Sequence, residues 1–138
     1  MKIFRLLLLA GCALAACGAH AARGVALEKY ENVPAAGADG KPLPAEQVGR
    51  AIVAGANLAR WNVSTPPGTP NIVRATFAQR KNTAVVDISF EEGSYSIRYV
   101  DSANLNYSDS GGSPVIAATY NKWLKQLKTA IDKALKAP

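Results

Sequence analysis

Cys17 closes the run Leu14-Ala15-Ala16-Cys17, where a thiol follows small residues and a short apolar stretch. A thiolate is a nucleophile, so this position can take a covalent group on sulfur. Cys12 and Cys17 are the two cysteines of the chain, and the single histidine is His20. Residues 21–138 therefore lack both types, which excludes cysteine/histidine zinc sites, thiol nucleophiles and imidazole bases from that part of the chain. Lysines supply the other conspicuous pattern. Lys122, Lys125, Lys128, Lys133 and Lys136 recur at helical spacing, and ammonium groups so placed form a strip that attracts phosphates or carboxylates. Asp101, Asn104, Asn106 and Asp109 crowd oxygen donors together, yet lack the spacing, central glycine and terminal glutamate of a calcium loop, so they read as turn makers. Glu91 and Glu92 are adjacent and would point to opposite sides of an extended strand, a poor acid/base pair.

Lys2 and Arg5 precede an apolar segment, residues 6–16, that is shorter than the roughly 18–20 residues a membrane-spanning helix needs. Together with Leu14-Ala15-Ala16-Cys17 it resembles a bacterial lipobox. The resemblance implies diacylglyceryl transfer to the Cys17 thiol, cleavage just before it and a mature chain beginning with acylated Cys17. It makes residues 1–16 a signal peptide and the covalent lipid the one non-protein group expected. Leu9-Ala10-Gly11-Cys12 has the same form but falls within the apolar segment. Ala19-His20-Ala21 offers an alternative cut that would release a soluble periplasmic protein starting at Ala22. Gly18, where inner-membrane retention would use aspartate, implies the outer membrane. Two or three acyl chains hold a small domain far more firmly than one.

Loss of Lys2 and Arg5 with the signal leaves 14 Lys and Arg against 10 Asp and Glu, a formal balance of +4. Export makes anionic phospholipid, lipopolysaccharide phosphate and peptidoglycan carboxylate the nearby acids, so nucleic acid is not expected as a partner. The mature length suits one domain. With no second cysteine in it, packing must supply its stability.

Residues 17–43 are rich in Ala, Gly and Pro and read as the lipidated cysteine and a flexible tether, with 25–33 an alternative short edge strand. The folded domain is then 44–138. Pro44 and Glu46 suit a helix start, and Val48, Ile52, Ala56 and Ala59 mark its apolar face over 44–60. Trp61-Asn62-Val63 opens a short strand. Residues 72–79, 84–90 and 94–100 alternate apolar and polar and are joined by short turn-rich links, which predicts hairpins. Ser113-Pro114 reads as the cap of a final helix whose stripe is Ile116, Tyr120, Trp123, Leu124, Leu127, Ile131, Ala134 and Leu135. The expected fold is α+β in two layers, an antiparallel meander of three to five strands with two helices on one face. Tyr95, Tyr99, Tyr120 and Trp123 are placed in the core, with Trp61 and Tyr107 partly exposed.

Through Trp61-Asn62-Val63, Tyr95-Ser96-Ile97-Arg98-Tyr99, Asp101-Ser102 and Tyr120-Asn121-Lys122-Trp123, the region 43–135 is similar to small uncharacterised proteobacterial lipoproteins. The resemblance implies an envelope location and one compact domain, with no catalytic residue to carry over. The expected role is non-enzymatic: a binding or adaptor module for another envelope protein, or a binder of an anionic envelope polymer through the Lys122 to Lys136 face. Salt separates the two, because ammonium contacts to a polyanion weaken with ionic strength and apolar interfaces do not.

Overall fold

The computed structural model describes residues 24–137. β-Branched and aromatic residues alternate with polar ones along β4 (Ile72–Gln79), β5 (Asn82–Glu91) and β6 (Ser94–Ala103), following β1 (Val25–Ala26), β2 (Tyr30–Pro34) and β3 (Asn62–Ser64). β2 to β6 form one antiparallel sheet in the order β2-β6-β5-β4-β3. Arg80 (φ 57°) turns the β4–β5 hairpin and Gly93 (φ 74°) the β5–β6 hairpin, so the chain returns directly as the short links require.

One face of this sheet is apolar. Val73, Ala75, Ala84, Val86, Ile88, Tyr95 and Ile97 are buried on it, and each large aliphatic contributes about 1.5–3 kcal/mol by leaving water. Two helices cover that face, α1 (Ala45–Leu58) and α2 (Ala118–Leu135). α1 presents Val48, Ala51, Ile52, Gly55 and Ala56, while α2 presents Tyr120, Trp123, Leu124, Leu127, Ile131 and Leu135. The two-layer α+β architecture therefore stands as expected. The helices run antiparallel and touch closely at Gly55, where a Cβ would lie 2.6 Å from Ile131 Cα. Only the missing side chain permits that approach.

The opposite face carries most of the sheet's charged residues, with Val85 and exposed Val100 among them. Arg74 pairs in register with Asp87 and Asp87 with Arg98. Arg74 Nε and Nη2 donate to the two Asp87 carboxylate oxygens at 2.8 and 2.9 Å, and Glu31 lies 3.4 Å from Lys29 Nζ and 4.0 Å from an Arg98 nitrogen. The charges thus alternate across the strands and compensate one another.

Three expectations need correction. First, the described part of the 17–43 segment is not a tether. Leu27, Tyr30, Val33 and Leu43 pack on the core and Ala35 is buried. Ala35 N–H donates to Gly93 O, Leu43 N–H to Ala35 O and Gly93 N–H to Leu43 O, which ties 35–43 to the β5–β6 turn. Second, Ser113-Pro114 does not cap the last helix. Val115–Ile116 forms β7, which pairs with β1 in a separate two-stranded sheet. Ile116 is fully buried there rather than on α2, as suits β-branched residues. Third, Trp61 is buried at 2 % exposure, in a chain of tilted ring contacts, Trp61 to Phe77 and Phe77 to Trp123, at centroid distances of 5.4 and 4.6 Å. Cys17 and the signal segment lie outside the described residues.

Candidate functional site

The antiparallel helix pair leaves a groove beside the end of α1. Its walls are Leu58, Ala59 and Arg60 from α1 and the turn after it, with Lys122, Lys125, Gln126, Thr129, Ala130 and Lys133 from one stripe of α2, around a shallow, open hollow of about 650 Å³. The α2 residues stand three and four apart, the spacing that aligns side chains along one helix face. Thus Lys122, Lys125 and Lys133 run along one wall of the groove over about 16 Å, with Arg60 on the other side and apolar side chains between them.

Arg60 reaches this position through an uncommon helix ending. Trp61 N–H donates to Ala56 O at 2.8 Å and Arg60 N–H to Asn57 O at 3.0 Å, the paired bonds of a Schellman termination. The residue at its left-handed position is Arg60, with φ 68°, where glycine is usual because a Cβ there costs about 1–2 kcal/mol. The same turn swings Trp61 into the core and projects the Arg60 side chain outward. Leu58 is 65 % exposed beside it.

No carboxylate lines the groove, and among the described residues none lies in an ion pair with Arg60, Lys122, Lys125 or Lys133. The sole acidic residue of α2, Asp132, faces the sheet instead. Its carboxylate accepts from Tyr95 Oη at 2.5 Å and from Lys128 Nζ at 2.6 Å, and Lys128 Nζ sits 5.6 Å from the Tyr30 ring centroid. Burial, then the bond to Asp132, pushes the Tyr95 phenol far up from its usual range. Burial likewise raises the Tyr120 phenol. Tyr120 Oη has no hydrogen-bond partner among the described side chains and backbone.

The lysine strip read from the sequence is therefore divided. Lys122, Lys125 and Lys133 share the groove, whereas Lys128 belongs to the Tyr95–Asp132 cluster. Lys136 lies in a separate hollow of about 820 Å³ whose walls also carry Asp39 and Arg50. Arg60 and Leu58 were not foreseen as site residues. The available signal was a helix ending in Leu-Ala-Arg-Trp with no glycine to terminate it.

The other candidates resolve into structure. Tyr95, Tyr120 and Trp123 are buried and Tyr99 is half-buried, with Tyr107 stacked on Tyr99 at 4.3 Å. Asn104 and Asn106 adopt left-handed conformations, and Asn104 Nδ2 donates to Lys81 O, as turn-forming asparagines do. Glu91 accepts from Ser94 across the β5–β6 turn. No described helix is long and apolar enough to cross a membrane. No protein-family model, curated protein or solved structure matches the chain.

Proposed function

We propose that this protein is an outer-membrane lipoprotein, acylated at Cys17, whose periplasmic domain is a non-enzymatic module that binds anionic envelope material in the groove between α1 and α2. The observation that carries the binding reading is that Arg60, Lys122, Lys125 and Lys133 line one groove without a carboxylate among them. Like charges spread along one groove create a positive potential that an extended polyanion can span. The arginine occupies a conformationally costly position at which glycine would serve the fold, and strain retained at one exposed cation is the kind of departure that points to a site.

The geometry favours an anion over a partner protein recognised through apolar surface. The uncovered sheet face carries the bidentate Arg74–Asp87 pair among its charged residues and shows apolar side chains such as Val100 singly, whereas an apolar protein interface would need a contiguous apolar patch. The ligand class is phosphate or carboxylate borne on envelope lipid or polymer, since lysines serve as point charges and Arg60 adds a planar donor fork.

Cosedimentation with lipopolysaccharide and with peptidoglycan, across a salt series, tests the reading. Binding should fall steeply between about 50 and 300 mM salt and be lost in Lys122→Glu/Lys125→Glu, while Lys41→Glu/Lys81→Glu binds normally. Binding insensitive to salt and to the groove variant would refute it. Intact mass of the membrane-extracted protein tests the anchor, with acylated Cys17 at the N-terminus as the expected species and an unmodified chain beginning at Ala22 as the contrary one.

A further inference from the structure

We infer that the α1–α2 groove docks the domain on the anionic phospholipid surface of the same leaflet that holds its acyl chains; this rests on the lipid-anchored, anion-binding reading above and names its ligand. Seven residue steps separate Cys17 from Gly24. Even fully extended, that length allows no more than about 25 Å between the anchor and the first described residue. Among the described residues the first element is β1 at Val25, and the maximum span is short compared with a domain roughly 30–40 Å across.

The chain joins the domain at the N-terminal end of α2. Asn121 in the first turn of α2 accepts from Glu28 N–H at 3.0 Å and donates to Ala26 O at 2.8 Å. Lys122 follows directly, and Lys125 lies one helical turn further on. The first described strand, Lys122 and Lys125 therefore lie toward one end of α2, with Lys133 about 16 Å further along it, and the link is long enough for those cations to reach the headgroups. Exposed Leu58 at the rim adds an apolar side chain suited to the headgroup boundary.

Each cation near an anionic leaflet strengthens attachment roughly five-fold, so four give a dissociation constant in the roughly millimolar range on their own. A short tether supplies an effective concentration of the same order. Docking is thus a reversible second attachment, set by the anionic lipid content and by salt. In the docked state the charged sheet face, on the far side of the helical layer, points into the periplasm.

The test uses the acylated full chain reconstituted at low density in vesicles of phosphatidylcholine alone or with about one-third phosphatidylglycerol, with amine-labelling rates read lysine by lysine by mass spectrometry. Lys122, Lys125 and Lys133 should be protected about two-fold in the anionic vesicles, as a dissociation constant matched by the effective concentration requires, with Lys41 and Lys81 as internal controls. Protection should vanish in 0.5 M NaCl. Equal labelling in the two vesicle types overturns the inference, as does a chain recovered without lipid on Cys17. Inorganic polyphosphate added to the protein in detergent separates the layers of the argument. If it protects the groove lysines while anionic vesicles do not, docking is overturned and anion binding stands; if neither protects them, both fail. Lys122→Glu/Lys125→Glu, checked for folding by circular dichroism, should abolish the lipid-dependent difference at Lys133, and an unchanged difference also overturns docking.

Discussion

Replacing Arg60 by glycine should move stability and binding in opposite directions. The left-handed Arg60 (φ 68°) costs about 1–2 kcal/mol relative to glycine in the folded state. Glycine in turn raises the entropy of the unfolded chain, which takes back about 0.4–1 kcal/mol. Arg60 is exposed and makes no ion pair within 4.0 Å of a described carboxylate, so little packing is lost. The net expectation is a gain of about 0.5–1 kcal/mol, or roughly 2–6 °C in Tm for a domain of this size. Removing one of four groove cations should meanwhile weaken attachment to an anionic surface roughly five-fold. Urea unfolding followed by tryptophan fluorescence reads the first quantity, since Trp61 adjoins the substituted residue and is buried. Vesicle cosedimentation at low salt reads the second. A destabilised variant would refute the account of the helix ending, and undiminished binding would refute the assignment of Arg60 to the site.

Gly55→Ala should destabilise despite its better helix propensity, because the new methyl would meet Ile131 Cα at 2.6 Å and N at 2.7 Å. Overpacking costs about 1–3 kcal/mol against a propensity gain of up to about 1 kcal/mol, and a urea midpoint equal to or above wild type would contradict the close helix contact. Tyr95→Phe should cost about 1–2 kcal/mol by removing the bond to Asp132, whereas Tyr120→Phe, which deletes a hydroxyl without a protein partner, should be neutral or stabilising by up to about 1 kcal/mol; the reverse order in urea would undo this contrast. Burial raises the phenols of Tyr30, Tyr95, Tyr99 and Tyr120 above the ordinary value of 10.0. Their contribution to stability is complete below pH 10, and above it the unfolded chain releases protons that the folded chain retains, so stability should fall as pH rises. Flat urea midpoints from pH 8 to 11 would be the contrary result.

The sheet and the helices were legible because their periodicities are long and uninterrupted. Val73, Ala75 and Phe77 alternate against polar neighbours, and Tyr120 to Leu135 repeats at helical spacing. Residues 24–43 were less legible because their structure rests on single distant partners. Asn32 N–H donates to Ser96 Oγ, and Ala35 and Leu43 bond through Gly93, none of which leaves a local pattern. Val115–Ile116 was absorbed into the helix by its apolar character, although it pairs with residues 90 positions earlier. In the site, three of the five candidate lysines line one groove. Helical spacing defines a broad face, but Asp132 and the Tyr30 ring draw Lys128 away. Arg60 joins from the turn after α1, which packs closely on α2 at Gly55.

Charge reversal at the groove is the most direct test of the central claim. Titration of anionic vesicles with the acylated full chain should show Arg60→Glu/Lys125→Glu losing groove protection entirely at 50 mM salt, while Lys41→Glu/Lys81→Glu, with the same net charge, retains it. Equal loss in both variants would make the attraction one of net charge alone and would contradict a defined site between α1 and α2.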